Sequence, residues 1–330
     1  MADQPLQITF WDVGQGDCST ITLPDGSLII IDTGPRGSPL IDWLNDNNRP
    51  IHAVVLTHND ADHVGALPGI VGGFMPRIRS FYMLVDRPKD NKIFDKIFRC
   101  ALEGEARGFY KITRLEVGAT VWSDASLEAE LVTLFPTMSG NLLASSPNTT
   151  SGILCLRLKN EPQLLWPGDS TLARVAQQCA GTRPHVMFGP HHGAPQDYKK
   201  AAAVVSINAI NPGNAFISVA TKNKYMHPRP KYVQRLERAG CHVLCSQLTT
   251  ACDRPAVLNQ RPVMKNHLAL GLRPPRTLGV TCRGVWQITW DGAGFISDGF
   301  DDEHLCRISK LRRPQCLKGR KYFQTAKLGL

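Results

Sequence analysis

The chain has 330 residues, 42% of them hydrophobic, enough for one large domain with a real core or for two small ones. Its apolar runs fall far short of the roughly 18 residues that a membrane span requires, and the opening Met-Ala-Asp-Gln-Pro is polar where a signal peptide would be apolar. The expectation is a soluble, cytoplasmic protein without membrane contact, and the net charge of +10 favours an anionic partner.

Leu6-Gln7-Ile8-Thr9-Phe10-Trp11 alternates and predicts a strand. Asp12-Val13-Gly14-Gln15-Gly16-Asp17 follows as a Gly-rich turn, and Cys18 to Leu23 is the return strand. After the turn Pro24-Asp25-Gly26-Ser27, Leu28-Ile29-Ile30-Ile31 reads as a buried strand ending in Asp32-Thr33-Gly34. Residues 38–47 predict a short helix, and Ala53-Val54-Val55-Leu56 another buried strand.

The next stretch is Thr57-His58-Asn59-Asp60-Ala61-Asp62-His63-Val64-Gly65, with a helix predicted to begin near Val64. Four side chains able to bind a metal, His58, Asp60, Asp62 and His63, fall within six residues at a strand end. Imidazole together with carboxylate suits Zn²⁺ or Mn²⁺. Alternate residues of an extended turn point one way, so His58 and Asp60 can share one ion while Asp62 and His63 turn toward a second. The plain alternative is a polar turn, since Asn, Asp and Gly favour turns and an Asp often only caps a helix. Four ligand-type side chains in this pattern make chance a poor account.

Downstream, residues 91–107 carry Ile93, Phe94, Ile97, Phe98, Ala101 and Leu102 at helical spacing, which predicts packing. Short strands are expected near 112–116, 119–122 and 128–134. A polar loop from Ser145 to Ser151 leads into the strand Ile153 to Leu158. Gln163-Leu164-Leu165-Trp166 is a strand ending in Pro167-Gly168-Asp169-Ser170, where Asp169 can also cap the helix predicted at 171–179. His185 to Phe188 leads to Gly189-Pro190-His191-His192-Gly193, and the strand Ala215 to Val219 to Lys222-Asn223-Lys224-Tyr225-Met226-His227-Pro228. A helix at 229–239, a strand at 241–245, a Pro- and Arg-bearing insertion at 248–276 that interrupts an expected final hairpin, and a strand at 285–290 complete the pattern.

The ten cysteines show no disulfide-like framework. Cys241, Cys245 and Cys252 with His242 offer zinc ligands, but their spacing matches no zinc knuckle and core packing is the favoured reading. Residues 304–330 hold eight Lys/Arg and no acid, and residues 254–276 hold five and none, which leaves the rest of the chain slightly acidic. Basic segments beside a near-neutral core point to nucleic acid; a solubilising tail or an arm that docks a regulatory protein is the alternative.

The His58–His63 loop resembles the signature of the metallo-β-lactamase superfamily, His-x-His-x-Asp-His after a strand, with Asp60 where that family usually has its second His. The Asp form, together with Asp12 to Asp17 and Asp32-Thr33-Gly34, is similar to the hydrolase domain of ComEC, the DNA-uptake channel protein. That likeness covers roughly residues 6–247 and, more weakly, 277–299. It implies an α/β fold, a four-layer αβ/βα metallo-β-lactamase sandwich, set over residues 1–300 with the insertion 248–276; residues 301–330 match no part of it and read from their charge as a basic C-terminal extension. The likeness further implies two divalent metal ions, Mn²⁺ or Zn²⁺. One would be held by His58 and Asp60, the other by Asp62, His63 and one of His191 and His192, with Asp169 bridging and Asp32 orienting a metal-binding His.

No His lies between 63 and 185, where many superfamily members carry a further ligand, so Asn148 or Ser151 is expected to touch water or substrate. Asn223 and His227 match the Asn and His-Pro elements of the ComEC branch. With Lys222 they would offer donors to a phosphate or a leaving oxygen, and Asp62 joins them in the expected catalytic set. The expected activity is that of a metal-dependent phosphodiesterase or nuclease on DNA or RNA. One alternative is a hydrolase of a small substrate: a cyclic nucleotide, phosphoester, lactone or thioester. The other is a catalytically silent binding subunit of a larger complex, against which the nearly complete ligand set argues.

Overall fold

Runs such as Leu28-Ile29-Ile30-Ile31 are apolar on both faces, and a strand of that kind is stable only between two layers. The computed structural model describes residues 4–84, 92–137, 150–194, 201–259, 270 and 279–317. One sheet comprises β1 (Gln7–Phe10), β2 (Cys18–Thr22), β3 (Leu28–Thr33), β4 (Ile51–Leu56), β5 (Ile78–Met83), β6 (Lys111–Arg114), β14 (Trp286–Trp290) and β15 (Phe295–Ser297), in the order β15-β14-β1-β2-β3-β4-β5-β6. The second comprises β7 (Thr120–Asp124), β8 (Ala129–Phe135), β9 (Ile153–Leu158), β10 (Glu161–Trp166), β11 (Val186–Phe188), β12 (Asn214–Ile217) and β13 (His242–Cys245), in the order β13-β12-β11-β10-β9-β8-β7.

The inner faces meet in one core. Ile29, Ile31 and Val55 from the first sheet share it with Leu154, Leu156, Leu164 and Phe188 from the second. The alternate residues face outward: Leu28, Ile30 and Val54 pack with α1 (Leu40–Asp46), α3 (Leu67–Phe74) and α4 (Lys92–Ala106). On the other side Ile153, Cys155 and Met187 pack with α5 (Leu172–Cys179), α6 (Ala201–Ile210) and α7 (Pro230–Arg238). Helices, sheet, sheet, helices is the four-layer αβ/βα sandwich that the resemblance implies.

Phe10 sits at the centre of the middle layer, with ring centroids 5.3 Å from Phe216 and Trp286, 5.8 Å from Phe188 and 6.4 Å from Trp166. Truncating a buried Phe removes transfer energy and leaves a cavity, so Phe10→Ala is expected to lower unfolding stability by about 3–5 kcal/mol. Denaturant titration checks this; a change below about 1 kcal/mol would mean that the two sheets do not depend on this contact.

The parallel strands position the site. β3, β4, β5 and β6 run parallel in the first sheet, and β10, β11, β12 and β13 in the second. Their carboxyl ends open on one edge, the usual place for a site in such sheets. Thr57 follows β4, Pro167 follows β10, Gly189 follows β11 and Ser218 follows β12, so each predicted ligand loop leaves a strand at that edge.

Two expectations about the C-terminal third change. The insertion leaves and rejoins the fold at a pinned base, where Gln247 bridges Thr281 antiparallel and Leu248 N donates to Val280 O at 2.7 Å. The strand beyond it, β14, then crosses to the other sheet and pairs with β1. Nor is the chain beyond residue 300 a free arm as far as it is described. In α9 (Asp301–Ser309) Ile308 is buried in the second outer core together with Cys316, and the buried Arg283 bonds Asp301 and Asp298. Arg307 donates to Thr281 O at 2.8 Å, so part of the basic run serves the fold. Residues 318–330, and 260–269 and 271–278 of the other basic run, lie outside the described residues. Among the described residues no helix is long and apolar enough to cross a membrane.

Candidate metal centre

Four imidazoles point their Nε2 atoms at one carboxylate. Asp169 Oδ2 lies 3.5 Å from His58 Nε2 and 3.4 Å from His191 Nε2. Its Oδ1 lies 3.2 Å from His63 Nε2 and 3.7 Å from His192 Nε2. The motif carboxylates extend the two groups. Asp60 Oδ2 stands 3.8 Å from His58 Nε2, and Asp62 Oδ2 stands 3.4 Å from His192 Nε2. One side therefore gathers His58, Asp60 and His191 about one oxygen of Asp169, and the other gathers Asp62, His63 and His192 about its second oxygen. The sequence left open which of the paired histidines belongs here. Both face Asp169, one on each side, and His191 supplies the nitrogen that the His58 group lacked.

The backbone explains how both reach in. His191 and His192 each adopt a left-handed conformation, φ 48° and 51°, so the chain doubles back on itself at the end of β11. His191 N donates to Gly168 O at 3.0 Å and ties this turn to the Asp169 loop. Gly168 has φ 52°, and a Cβ there would stand 2.2 Å from Ser151 Oγ, which leaves no room for a side chain. Asp60 occupies the start of the short helix α2 (Ala61–Val64) without a side-chain cap hydrogen bond, and Thr171, rather than Asp169, caps α5 through Arg174 N at 3.3 Å. The capping alternatives for both carboxylates therefore fail.

Each inner imidazole is held from behind. His63 Nδ1 donates to Asp32 Oδ2 at 2.8 Å, and Asp32 also accepts from Thr57 N at 2.8 Å and Thr57 Oγ1 at 2.7 Å. With its proton given to Asp32, Thr57 Oγ1 can accept from His58 Nδ1, 3.2 Å away. Ser151 Oγ lies 3.3 Å from the same nitrogen and accepts from Asp169 N at 2.9 Å. His192 Nδ1 donates to Ser218 O at 3.1 Å. Protons on the Nδ1 atoms leave the Nε2 lone pairs aimed at the centre. His58, His63 and His192 Nε2 and Asp169 Oδ1 are buried with no hydrogen-bond partner among the described residues. Buried polar atoms are ordinarily paired. Lone pairs and carboxylate oxygens converging in this way fit divalent cations.

Electrostatics agree. Burial alone would raise the Asp169 carboxyl, but His63 and His58 outweigh it and hold it well below the usual range. Burial opposes charge on His63, yet Asp169, Asp17 and Asp32 push its pKa well above the ordinary value. His192 is raised to about 10, with Asp17 and Asp62 overcoming its burial. Such protons are displaced when a cation binds.

Asp17 is the site residue that the sequence reading missed. It is 5% exposed at the start of β2, Oδ1 is 3.2 Å from His192 Nδ1, and Oδ2 is 3.9 Å from His63 Nδ1. Asp17, His63 and His192 lie close enough to form a ligand group of their own. However, His63 Nδ1 already serves Asp32 and His192 Nδ1 serves Ser218, so Asp17 stands behind the two rings and orients them. Burial pushes its carboxyl up against the opposing pull of His192 and His63. The signal was available in the turn Gly14-Gln15-Gly16-Asp17: Gly16 has φ 140°, and a Cβ would meet Asp62 O at 2.2 Å, so the turn packs against the metal loop.

The remaining expectations divide. Asp32 stands behind His63 Nδ1. Ser151 positions His58 and Asp169, its hydroxyl being used by both; Asn148 lies outside the described residues. Asn223 clamps its own loop rather than facing substrate: its amide donates to Ala220 O at 3.1 Å and His227 O at 2.7 Å, and its Oδ1 accepts from His227 N at 2.9 Å. Lys222 is exposed on that loop. His227 is 7% exposed, and its ring lies 6.0 Å from His191 and 6.4 Å from His192. Asp32→Asn should weaken metal binding on the His63 side by roughly 10–100-fold, the usual cost of losing a carboxylate behind a ligand His. Metal titration by calorimetry measures it; unchanged affinity would show that His63 needs no such support.

The model of the metallo-beta-lactamase superfamily matches residues 11–122, about a third of the chain. The matched stretch includes Asp32 and the whole loop from His58 to His63, and ends before Asp169. No curated protein matches the chain. Solved structures similar to it include Igni18, a metallo hydrolase from the hyperthermophilic archaeon Ignicoccus hospitalis, at 15% identity and a TM-score of 0.47, covering 72% of this chain and 95% of that one. The metallo-beta-lactamase fold protein YhfI from Bacillus subtilis aligns at 10% identity and 0.45, covering 73% and 96%. The short form of human tRNase Z aligns at 14% and 0.39, covering 66% and 93%. The two-sheet fold is of the metallo-β-lactamase kind, and the family model matches residues 11–122 within it.

Proposed function

We propose that this chain is a metal-dependent phosphodiesterase acting on DNA or RNA, with two divalent ions, Zn²⁺ or Mn²⁺, in the centre around Asp169. The observation that carries the reading is the division of ligands about the two oxygens of Asp169. His58, Asp60 and His191 would hold one ion, and Asp62, His63 and His192 the other. Two imidazoles and carboxylate oxygen on each side suit either metal. Divalent ions in such a pair supply Lewis acidity, acidifying a water and neutralising charge on phosphoryl oxygens.

The protein's own part is positioning. Asp169 fixes the spacing of the two groups, Asp32 and Asp17 hold the His63 and His192 rings, and Ser151 holds His58 to the Asp169 loop. His227 borders the pair, its Nδ1 buried and without a hydrogen-bond partner among the described residues. A groove of about 1050 Å³ adjoins the metal loop, lined in part by Asp62, Arg36 and Lys96. It is larger than a compact metabolite needs, and its two cations suit a phosphate backbone. The likeness of Asp12 to Asp17 and of the His58 loop to the ComEC hydrolase domain supports the same substrate class.

The test is a metal-supplemented assay on single- and double-stranded DNA and RNA beside a panel of cyclic nucleotides. Cleavage of polymer that weakens with added salt supports the proposal. Turnover of a small ester alone would favour the small-substrate reading, and no metal-dependent turnover would favour a silent binding subunit.

Because residues 301–317 are part of the packed fold, truncation is best placed after Leu317, where residues 318–330 carry four further Lys/Arg. If these reach phosphates, removing them lowers the salt slope of polymer binding by up to about 0.9 per lost contact and spares a small diester. An unchanged slope would assign the extension to a protein partner or to no role in binding.

A further inference from the structure

Four cysteines and a histidine from five separate segments line one small cavity on the far side of the His227 loop. Cys245 ends β13, Cys252 lies in the helix Thr250–Asn259, and Cys282 lies on the strand-like return at 280–283. His304 comes from α9 and Cys316 from the turn Gln315–Leu317. The cavity holds about 20 Å³, room for a single water-sized occupant. In sequence these residues span 72 positions with no recognisable spacing, and the neighbouring Cys241 and His242, which the sequence grouped with Cys245 and Cys252, do not line it.

We propose that this cavity is a structural zinc site, held by Cys282, His304 and two of Cys245, Cys252 and Cys316. Cys282 Sγ and His304 Nε2 stand 3.5 Å apart. Zinc bonds of about 2.3 Å to sulfur and 2.0 Å to nitrogen at a tetrahedral angle place those two atoms about 3.5 Å from each other. The other sulfurs ring the cavity at wider spacing, since the ligand trios whose atoms all lie within 4.8 Å of one another are those of the hydrolytic centre. A cysteine closes such a gap by turning about one side-chain bond. Thiolate with imidazole is the donor set that selects zinc.

The chemistry also fits the location. Thiols bind zinc as thiolates, so closure releases protons and ties these segments together. One ion would tie the return at 280–283 and α9 to two of β13, the helix at 250–259 and the last described turn. Pro228 lines the same cavity, directly after His227, so the ion would also brace the loop that borders the hydrolytic centre.

The proposal stands or falls independently of the hydrolytic reading, because the ligands around Asp169 include no sulfur. Protein loaded with Co²⁺ should show thiolate-to-metal charge transfer in the near ultraviolet, which only the cysteine site can produce. In an Asp169→Asn background, which disables the hydrolytic centre, one zinc per chain should remain. Cys282→Ser and His304→Gln should each abolish or strongly weaken the charge-transfer band, while Cys241→Ser, buried in the same core away from the cavity, should leave it intact. Absence of the band in the unaltered protein overturns the proposal, whether or not any variant folds. So does a band that survives both substitutions, or a denatured thiol count below ten that reveals a disulfide among these cysteines.

Discussion

Asp169→Asn is expected to cost both ions and nearly all activity. The two ligand groups converge on the two oxygens of Asp169, each within 3.2–3.7 Å of two imidazole nitrogens. An amide offers one weak acceptor where the carboxylate offers two charged ones, and its NH₂ would point at a nitrogen lone pair. The charge stabilisation that paired ions contribute is several kcal/mol, and at about 1.4 kcal/mol per tenfold the loss in kcat should be about 10³-fold or more. Elemental analysis of the purified variant should find the centre largely empty, and far-ultraviolet circular dichroism should find the fold intact. Two tightly held ions in this variant would remove Asp169 from its bridging role. The wild-type centre should also bind metal more tightly as pH rises. His63 and His192 hold protons above their ordinary pKa values in the ion-free protein, and a cation must displace them.

What could be read from sequence follows the range of the forces involved. His58, Asp60, Asp62 and His63 announce themselves because a turn places near neighbours around one point, so the chemistry is local. β9 at Ile153–Leu158 and β3 at Leu28–Thr33 are equally plain, since burial on both faces demands an unbroken apolar run. β5 went unread: Arg79 and Ser80 break its pattern, Arg79 lying exposed between the buried Ile78 and Phe81. α6 was missed for the opposite reason. Ala201 to Ile210 is apolar almost all round, with Ile207 and Ile210 buried and Val205 69% exposed, so it carries no amphipathic period to detect.

Long-range partners set the limit on the site. Asp17 reads as one more polar turn residue until β2 carries it behind His63 and His192, which lie 46 and 175 residues further along the chain. Asn223 reads as a donor to substrate from the Asn and His-Pro spacing alone; its amide is consumed three and four residues away by its own loop. The cysteines make the point most clearly. His242 and Cys245 stand three apart on β13, and alternation in a strand sends them to opposite faces, while Cys241 lies before the strand begins. Cys245 instead finds its neighbours in segments that follow a long excursion, so no local spacing could have paired it.

His227→Ala should keep both ions yet lose on the order of 10²-fold or more in turnover, the usual scale for a positioned proton-transfer or hydrogen-bonding group. The ring is stacked between Tyr225, 5.6 Å away, and His192, 6.4 Å away, and Asn223 fixes the backbone on both sides of its peptide unit. Among the described residues no carboxylate comparable to Asp32 stands behind it, and its Nδ1 is buried without a hydrogen-bond partner. Burial, followed by His192, His191 and Arg229, pushes its pKa down to about 4. At neutral pH the imidazole is therefore uncharged, which refines the sequence reading. It can accept a proton or hydrogen bond at one nitrogen and donate at the other, steadying a phosphoryl oxygen or a leaving group without imidazolium charge. The depressed value keeps the ring neutral as pH falls until it approaches about 4, so a loss of activity setting in at higher pH reports proton competition for His63 and His192 and not protonation of His227. His227→Gln, which can still donate a hydrogen bond, should recover part of the loss, whereas a purely structural ring would not be rescued by it. Paired measurements of metal content and kcat settle the assignment. A fully active His227→Ala protein would make the ring a loop support, and one that has lost an ion would place His227 among the ligands.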